Sequence, residues 1–209
     1  MLYHSFTKDK PIVFLTARVH PGESPASYAM TSIIKFLTDK TDIRAKLLRK
    51  FFVFKIIPMI NVDGVYRGYY RFDTSSFNLN RHYGNPNIKS QPEIYGIKKV
   101  LLTYSQERRI RYYLDLHAHV QSKGVFLFGN SLDYLQQVEN CLLPKVMESN
   151  IETLQFENCV FNEKSMKSRV IFSLIFLFNR KEVICIQKKE PEESIYINVL
   201  GWFIVTQLK

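Results

Sequence analysis

The chain has 209 residues, of which 46% are hydrophobic and 23% charged, and this composition is typical of a globular protein and excludes a mainly disordered polypeptide. Its formal net charge of +10 predicts attraction to polyanions such as nucleic acid, anionic lipid or an acidic polypeptide, without choosing among them. The three cysteines, Cys141, Cys159 and Cys185, show no C-x-x-C spacing, which argues against a disulfide framework and against a thiolate metal site.

The N-terminus and the apolar runs predict a cytoplasmic protein. Residues 1–10 lack a basic segment followed by an apolar one, so they do not form a secretory signal. The longest apolar run, 170–178, is far shorter than the ~20 residues that span a bilayer. We therefore expect no transmembrane helix and no membrane partner.

The first half of the chain alternates between strand and helix patterns. Residues 11–19 form an apolar run that predicts a buried strand, and a loop rich in Pro and Gly follows from His20 to Pro25. Apolar positions at helical spacing predict a helix over 26–39. A second strand is predicted over 51–59, closed by turn residues from Asn61 to Gly64.

The second half continues the alternation after a long irregular stretch over 68–91, and long ordered loops of this kind often carry function. A helix is predicted over 93–104, strands over 111–117 and 124–129, and a helix over 132–149. This order predicts a mixed or parallel sheet flanked by helices. Functional sites in such sheets gather at the strand ends, where His20 and His117 both fall.

Three residues at two strand exits form a candidate metal site. A hydrolytic zinc site uses three protein ligands and keeps a fourth position open, and His20, Glu23 and His117 would supply the three. Taken singly, they are more simply interpreted as a turn residue, an acid at a helix N-terminus and a core histidine. Taken together, they favour a metal.

Five motifs in sequence order carry a resemblance to a known family. They are His20-Pro-Gly-Glu23, Asn61-Val-Asp-Gly64, Tyr70-Arg71, Asn78-Leu-Asn80-Arg81 and Asp115-Leu-His117-Ala-His119. In this order they resemble the signature of the zinc carboxypeptidases similar to carboxypeptidase A, and within that family the cytosolic branch, which includes tubulin deglutamylases. The resemblance covers residues 10–166.

The resemblance implies an α/β fold with a mixed, mostly parallel twisted sheet between helices. It implies one zinc ion held by His20, Glu23 and His117. It places Arg71 where the family polarises the scissile carbonyl, and Asn80 and Arg81 where the family grips the terminal carboxylate of the substrate. The implied activity is a zinc-dependent metallocarboxypeptidase that removes glutamate from polyglutamylated tails such as those of tubulin, in the cytoplasm and at microtubules.

Two neighbours of the ligand residues are less clearly assigned. Asn78 stands where the wider family more usually has an acid that orients a ligand histidine, and its amide can still accept one hydrogen bond. Asp115 either assists His117 or faces the opposite side of its strand.

The general base that the family resemblance implies, a Glu on a late strand, is not identified. A faint resemblance near the C-terminus places that Glu at Lys209, and an ammonium cannot accept a proton while it stays charged. Three explanations are open: a catalytically dead zinc-containing module that binds acidic C-terminal tails, a chain that stops just before its base, or a sequence that from about Val170 is read through from non-coding sequence.

The organisation that follows is a zinc carboxypeptidase-like core over 1–169 and a divergent segment over 170–209, an incomplete end of the same domain. Both ends are expected to be truncated. A nucleic-acid partner is not expected, because the basic residues are scattered rather than gathered in one run with interleaved aromatics.

Overall fold

The computed structural model describes residues 10–107, 109–119, 124–132, 134–162 and 173–179. Within these residues five strands form one sheet: β1 Ile12–Ala17, β2 Val53–Ile57, β3 Ile110–His119, β4 Phe126–Phe128 and β5 Ser173–Asn179. The helices are α1 Ser24–Thr38, α2 Ile43–Phe51, α3 Val62–Tyr66, α4 Pro92–Gln106 and α5 Tyr134–Glu148.

The sheet is mixed and mostly parallel. Its strand order is β2-β1-β3-β5-β4, with β1 parallel to β2 and β3, β3 parallel to β5, and β4 antiparallel to β5. All six residues of β1 are buried, as expected of a parallel strand covered on both faces. The expected α/β class with a mostly parallel sheet is confirmed.

Side chains on the two faces of the sheet pack into two separate cores. One core joins Val13, Leu15 and Leu116 of the sheet to α1, α2 and α5. The other joins Phe14 and Tyr113 to α4 and to the 3₁₀ turn Leu79–Arg81. Helices therefore cover both faces, and the alternation along β3 sends Tyr113, Asp115 and His117 to one side and the leucines between them to the other.

Several predicted boundaries were wrong in the first half of the chain. The strand predicted over 51–59 begins at Val53, because Phe51 is the last residue of α2, a helix that the periodicity did not indicate. The predicted turn from Asn61 to Gly64 begins the short helix α3 instead, since the Asn61 side chain accepts a hydrogen bond from the Gly64 N–H and caps it.

Strand β5 overlaps the apolar run 170–178, for which the sequence predicted no element, and ends at Asn179. It pairs along β3 from Tyr113↔Ser173 to His119↔Asn179, so this part of the divergent segment belongs to the same sheet. The expectations for residues 1–9 and for 180–209, including Lys209, lie outside the described residues. Among the described helices, none has both the length and the apolar character needed to cross a bilayer.

Candidate metal centre

The two histidines lie at the same edge of the sheet because they follow neighbouring parallel strands. His20 comes three residues after the end of β1, and His117 is near the end of β3. The register pairs Ala17 with Leu116, so the two strands reach this edge together. Both histidines are 3% exposed, so the candidate centre is buried rather than on the open surface.

Arg18 braces the loop between His20 and Glu23. Its backbone has a φ of 58°, a conformation that non-glycine residues seldom adopt. Its guanidinium donates to the Pro21 carbonyl from Nη2 at 2.7 Å and from Nε at 3.1 Å, and to Ser27 Oγ at 2.8 Å. The side chain thus ties the loop to the first turn of α1. The sequence analysis did not single out Arg18.

Gly22 allows a second segment to reach the centre. Its N–H donates to the Tyr70 carbonyl at 2.7 Å, and a Cβ at this position would lie only 2.7 Å from the same oxygen. A larger residue would push the two segments apart. The close approach brings Arg71 to the ligands, with its Nη1 3.8 Å from Glu23 Oε1.

The three predicted ligand residues converge. His20 Nδ1 lies 2.7 Å from Glu23 Oε1, and His117 Nδ1 lies 2.9 Å from Glu23 Oε2. The two imidazole centroids are 5.0 Å apart, and one ligand atom from each of the three residues lies within 4.8 Å of the others. Two bonds of ~2.1 Å to a shared ion would need only small side-chain adjustments from this arrangement.

Glu23 does not act as a helix cap. It occupies the N-cap position of α1, yet its side chain makes no capping hydrogen bond. Its Oε2 instead accepts the backbone N–H of Ala118 on β3 at 2.9 Å. The simpler interpretation of Glu23 as a helix N-terminal acid is therefore excluded, and the carboxylate bridges β3 to the ligand loop.

In both imidazoles Nδ1 faces Glu23, and Nε2, on the other side of the ring, lies within hydrogen-bond distance of an acceptor oxygen. His20 Nε2 lies 3.1 Å from Asn78 Oδ1, and that oxygen also accepts the Asn80 backbone N–H, which identifies it as the amide oxygen. His117 Nε2 lies 2.9 Å from Asp115 Oδ2. Each Nε2 therefore carries the proton in the neutral ring and leaves the Nδ1 lone pair for a metal.

Asp115 and Asn78 each contact one of the two histidines. Asp115 shares a face of β3 with His117 and contacts it, rather than facing away. Asn78 accepts one hydrogen bond from a ligand histidine, as its amide allows.

The electrostatics of the three residues favour a bound cation. Burial alone would raise the pKa of Glu23, but the charge and hydrogen bonds of His117 and His20 outweigh it and hold that pKa well below its usual range. Burial would lower the pKa of His117, but Asp115 and Glu23 raise it to about 10. A protonated imidazole between two carboxylates supplies positive charge that a divalent ion can replace.

The donor set fits zinc. Two imidazole nitrogens and one carboxylate oxygen form the ligand set of several catalytic zinc sites, and each imidazole here has the outer hydrogen bond that such ligands make.

The residues expected to grip a carboxylate lie beside the ligands. Asn80 is buried, and its side-chain amide makes no hydrogen bond within the part of the chain that the structure describes. Arg81 is exposed, and its Nη1 donates to the Asn80 carbonyl at 3.1 Å. Partial burial and the positive charge of Arg71 both lower the pKa of Arg81.

Known proteins with similar sequences are carboxypeptidases. Residues 4–72 match the family described as zinc carboxypeptidase. Human cytosolic carboxypeptidase-like protein 5 is 31% identical over 246 aligned positions, covering 77% of this chain and 28% of that protein. Cytosolic carboxypeptidase 6 from Caenorhabditis elegans is 41% identical over 164 positions, covering 76% of this chain and 36% of that protein. The chain therefore spans little more than a third of these relatives at most.

Solved structures share the fold. A metallo-carboxypeptidase from Burkholderia cenocepacia has a TM-score of 0.76 at 20% identity, covering 95% of this chain and 58% of that one. A metallo-carboxypeptidase from Pseudomonas aeruginosa has a TM-score of 0.72 at 16% identity, with the same coverage. Because two sequence relatives, one family match and this fold agree, the chain belongs to the zinc carboxypeptidase family and is related to its cytosolic carboxypeptidases.

Proposed function

We propose that the chain is the zinc-binding core of a metallocarboxypeptidase that removes glutamate from polyglutamylated protein tails such as those of tubulin. The observation that carries this proposal is the convergence of His20 Nδ1, the Glu23 carboxylate and His117 Nδ1 beside the Arg71 guanidinium. When bound there, zinc supplies Lewis-acid activation of the scissile carbonyl and of the attacking water.

Arg71 stabilises the negative charge that develops on the carbonyl oxygen. Its guanidinium is partly exposed and is anchored near Glu23, so it faces the same space as the ligand atoms. A fixed cation at this position acts mainly in the transition state, because the charge that it stabilises is absent from the ground-state substrate.

Asn80 and Arg81 bind the terminal carboxylate of the substrate. A guanidinium matches a carboxylate with two parallel hydrogen bonds, and a buried amide with free donors can add a third. The proximity of Arg71 to Arg81 concentrates positive charge, which a substrate carboxylate would neutralise.

The acidic substrate class and the site of action rest on charge and on the relatives. The net charge of +10 attracts an acidic tail over long range. The named relatives are cytosolic carboxypeptidases, which supports action in the cytoplasm, and tubulin tails would bring the protein to microtubules.

A zinc-containing binding module is the second candidate. Among the described residues, the acids hydrogen-bonded to the two proposed histidine ligands are Glu23, itself the third proposed ligand, and Asp115, so both carboxylates already hold an imidazole. No described acid is therefore assigned as general base, and Lys209 lies outside the described residues. Such a module would bind acidic C-terminal tails without hydrolysing them.

Release of free glutamate separates the two candidates. The full chain, loaded with zinc, is incubated with a peptide that ends in several glutamates, and we expect glutamate release that a chelator abolishes and added zinc restores. The matched control is the same peptide with a C-terminal amide, which should stay intact because the proposed grip needs a free carboxylate.

The other outcomes are equally informative. A zinc-loaded chain that releases no glutamate contradicts the enzyme proposal. Tight binding of the same peptide, weakened by Arg81→Ala, would then support the binding module. Unchanged binding by Arg81→Ala would reject the carboxylate grip.

A further inference from the structure

The carboxylate that orients His117 is itself held by a buried hydroxyl. Thr16 is 0% exposed and lies opposite Asp115 in the register of the parallel strands β1 and β3. Its Oγ1 lies 2.7 Å from Asp115 Oδ1, while Asp115 Oδ2 lies 2.9 Å from His117 Nε2. Both carboxylate oxygens therefore have a partner, and neither can move without breaking a hydrogen bond.

The direction of these bonds follows from chemistry. An ionised carboxylate only accepts, so the single hydroxyl hydrogen of Thr16 points to Asp115. The Thr16 oxygen can then accept from Tyr113, whose hydroxyl lies 3.2 Å away, and Tyr83 lies 3.4 Å behind Tyr113. Burial raises the pKa of both phenols, so both stay neutral. Three hydroxyls thus line up behind the carboxylate.

A polar side chain at position 16 has no packing reason to be there. The other five residues of β1 are apolar, and valine would fill nearly the same volume. A buried hydroxyl without a hydrogen bond would destabilise the fold. The hydrogen bond to Asp115 therefore explains why a buried polar residue is tolerated at position 16.

We propose that Thr16 is a positioning residue of the metal centre, which holds Asp115 so that His117 keeps its Nε2–H tautomer and presents Nδ1 to the metal. This inference rests on the zinc site of the proposed function, although Thr16 touches neither metal nor substrate. Without the hydroxyl, Asp115 is free to rotate, and His117 loses its fixed orientation.

Zinc affinity of Thr16 variants tests the proposal without an activity assay. Affinity is measured by competition with a chromophoric chelator, on chains whose folding is checked by circular dichroism and thermal unfolding. We expect Thr16→Val to bind zinc roughly tenfold more weakly, in the range found for partners behind metal ligands, and Thr16→Ser to restore most of the affinity.

Two controls separate positioning from general destabilisation. Leu15→Val alters the neighbouring residue on the opposite face of β1 and should lower stability while keeping zinc affinity. In an Asp115→Asn background, Thr16→Val should cause little further loss, because the residue through which it acts is already changed.

The proposal is overturned if Thr16→Val binds zinc as tightly as the wild type, if Leu15→Val loses as much affinity, or if the Asp115→Asn and Thr16→Val losses simply add. Should Thr16→Val fail to fold, Tyr113→Phe removes only the hydroxyl behind Thr16 and should weaken binding less but in the same direction, and unchanged affinity there counts against the proposal. A wild-type chain that binds no zinc overturns the zinc site itself.

Discussion

Arg18 holds in place the loop that carries two of the proposed metal ligands, through hydrogen bonds to Pro21 and Ser27. Its left-handed backbone conformation costs about 1–3 kcal/mol, so the surrounding contacts must offset that strain. The hydrogen bonds to Pro21 and Ser27 do so, and they fix the loop that carries His20 and Glu23.

Replacing Arg18 should therefore weaken metal binding. We expect Arg18→Ala to lower zinc affinity on the order of tenfold, and Arg18→Lys to recover only part of it, because an ammonium lacks the planar fork that contacts Pro21 twice. Chelator competition measures the effect, and Lys40→Ala, which removes an exposed charge elsewhere, is the control. An Arg18→Ala chain with wild-type affinity would show that the loop holds its shape without the clamp.

Replacing Arg71 and replacing Arg81 should change different steady-state parameters, kcat for Arg71 and KM for Arg81. Arg71→Ala should lower kcat about 10²–10³-fold with a smaller change in KM, since the proposed role of its charge lies in the transition state. Arg81→Ala should mainly raise KM, since the proposed carboxylate grip would act in substrate and transition state alike. Glutamate release from an acidic peptide measures both, and the reverse pattern would exchange the two assignments.

At this scale the sequence located the residues that converge and their partners Asn78 and Asp115, but not Arg18 or Thr16, which lie behind them. His20, Glu23 and His117 stand at strand exits and within recognisable motifs, so local pattern was sufficient. Arg18 depends on an unusual φ, and Thr16 depends on the register between β1 and β3. No local pattern in the sequence encodes either property.

Among the elements, helix α2 depends on Asp42, the residue that caps its N-terminus. The Asp42 carboxylate accepts the backbone N–H groups of Arg44 and Ala45 and pairs with the Arg44 guanidinium at 2.6 Å. The hydrogen bond from the Arg44 side chain is the main cause that lowers the pKa of Asp42 to about 2. The ionised carboxylate is therefore the form that stabilises the helix.

Asp42→Ala should destabilise the chain by ~1 kcal/mol, the usual effect of losing an N-cap, and leave zinc affinity unchanged. Because the folded pKa lies below the unfolded value of ~3.9, the charge-dependent part is fully present above that pH and is lost as the pH falls toward 2. The charge-dependent part of the stability is small, since solvent screens the ion pair of Asp42 with Arg44. Urea unfolding at several pH values measures it.

Asp42→Asn is the matched variant for that experiment, because it keeps the capping oxygen but removes the charge. It should retain most of the stability near neutral pH and lose the pH dependence. A loss equal to that of Asp42→Ala would mean that the ion pair with Arg44, and not the cap, stabilises α2.

The alternation of strands and helices was predictable, but α2 was missed, because four basic residues interrupt its apolar pattern. Its remaining signals were the capping aspartate and the spacing of Ala45 and Leu48, which are buried. Strand β5 was missed for a different reason, since a short apolar run does not distinguish a buried strand from a buried helix.

For the whole molecule, the excess of positive charge predicts salt-sensitive recognition. The Debye length shortens from ~10 Å at 0.1 M salt to ~3 Å at 1 M, so long-range attraction of an acidic tail weakens over this range. We expect kcat/KM for a polyglutamate-ended peptide to fall with salt much more steeply than for a peptide of neutral residues with one terminal glutamate. Equal salt dependence of the two peptides would contradict a role for the net charge.

The sheet brings together the ends of β1 and β3, and with them the proposed zinc ligands. The proposal of a zinc site is tested by the zinc content of the purified chain, measured by elemental analysis after removal of loosely bound metal. We expect one zinc ion per chain in the wild type and almost none in His117→Ala, whose circular dichroism should show a folded chain. A wild-type chain without zinc, or a His117→Ala chain that retains one ion, would contradict the proposal.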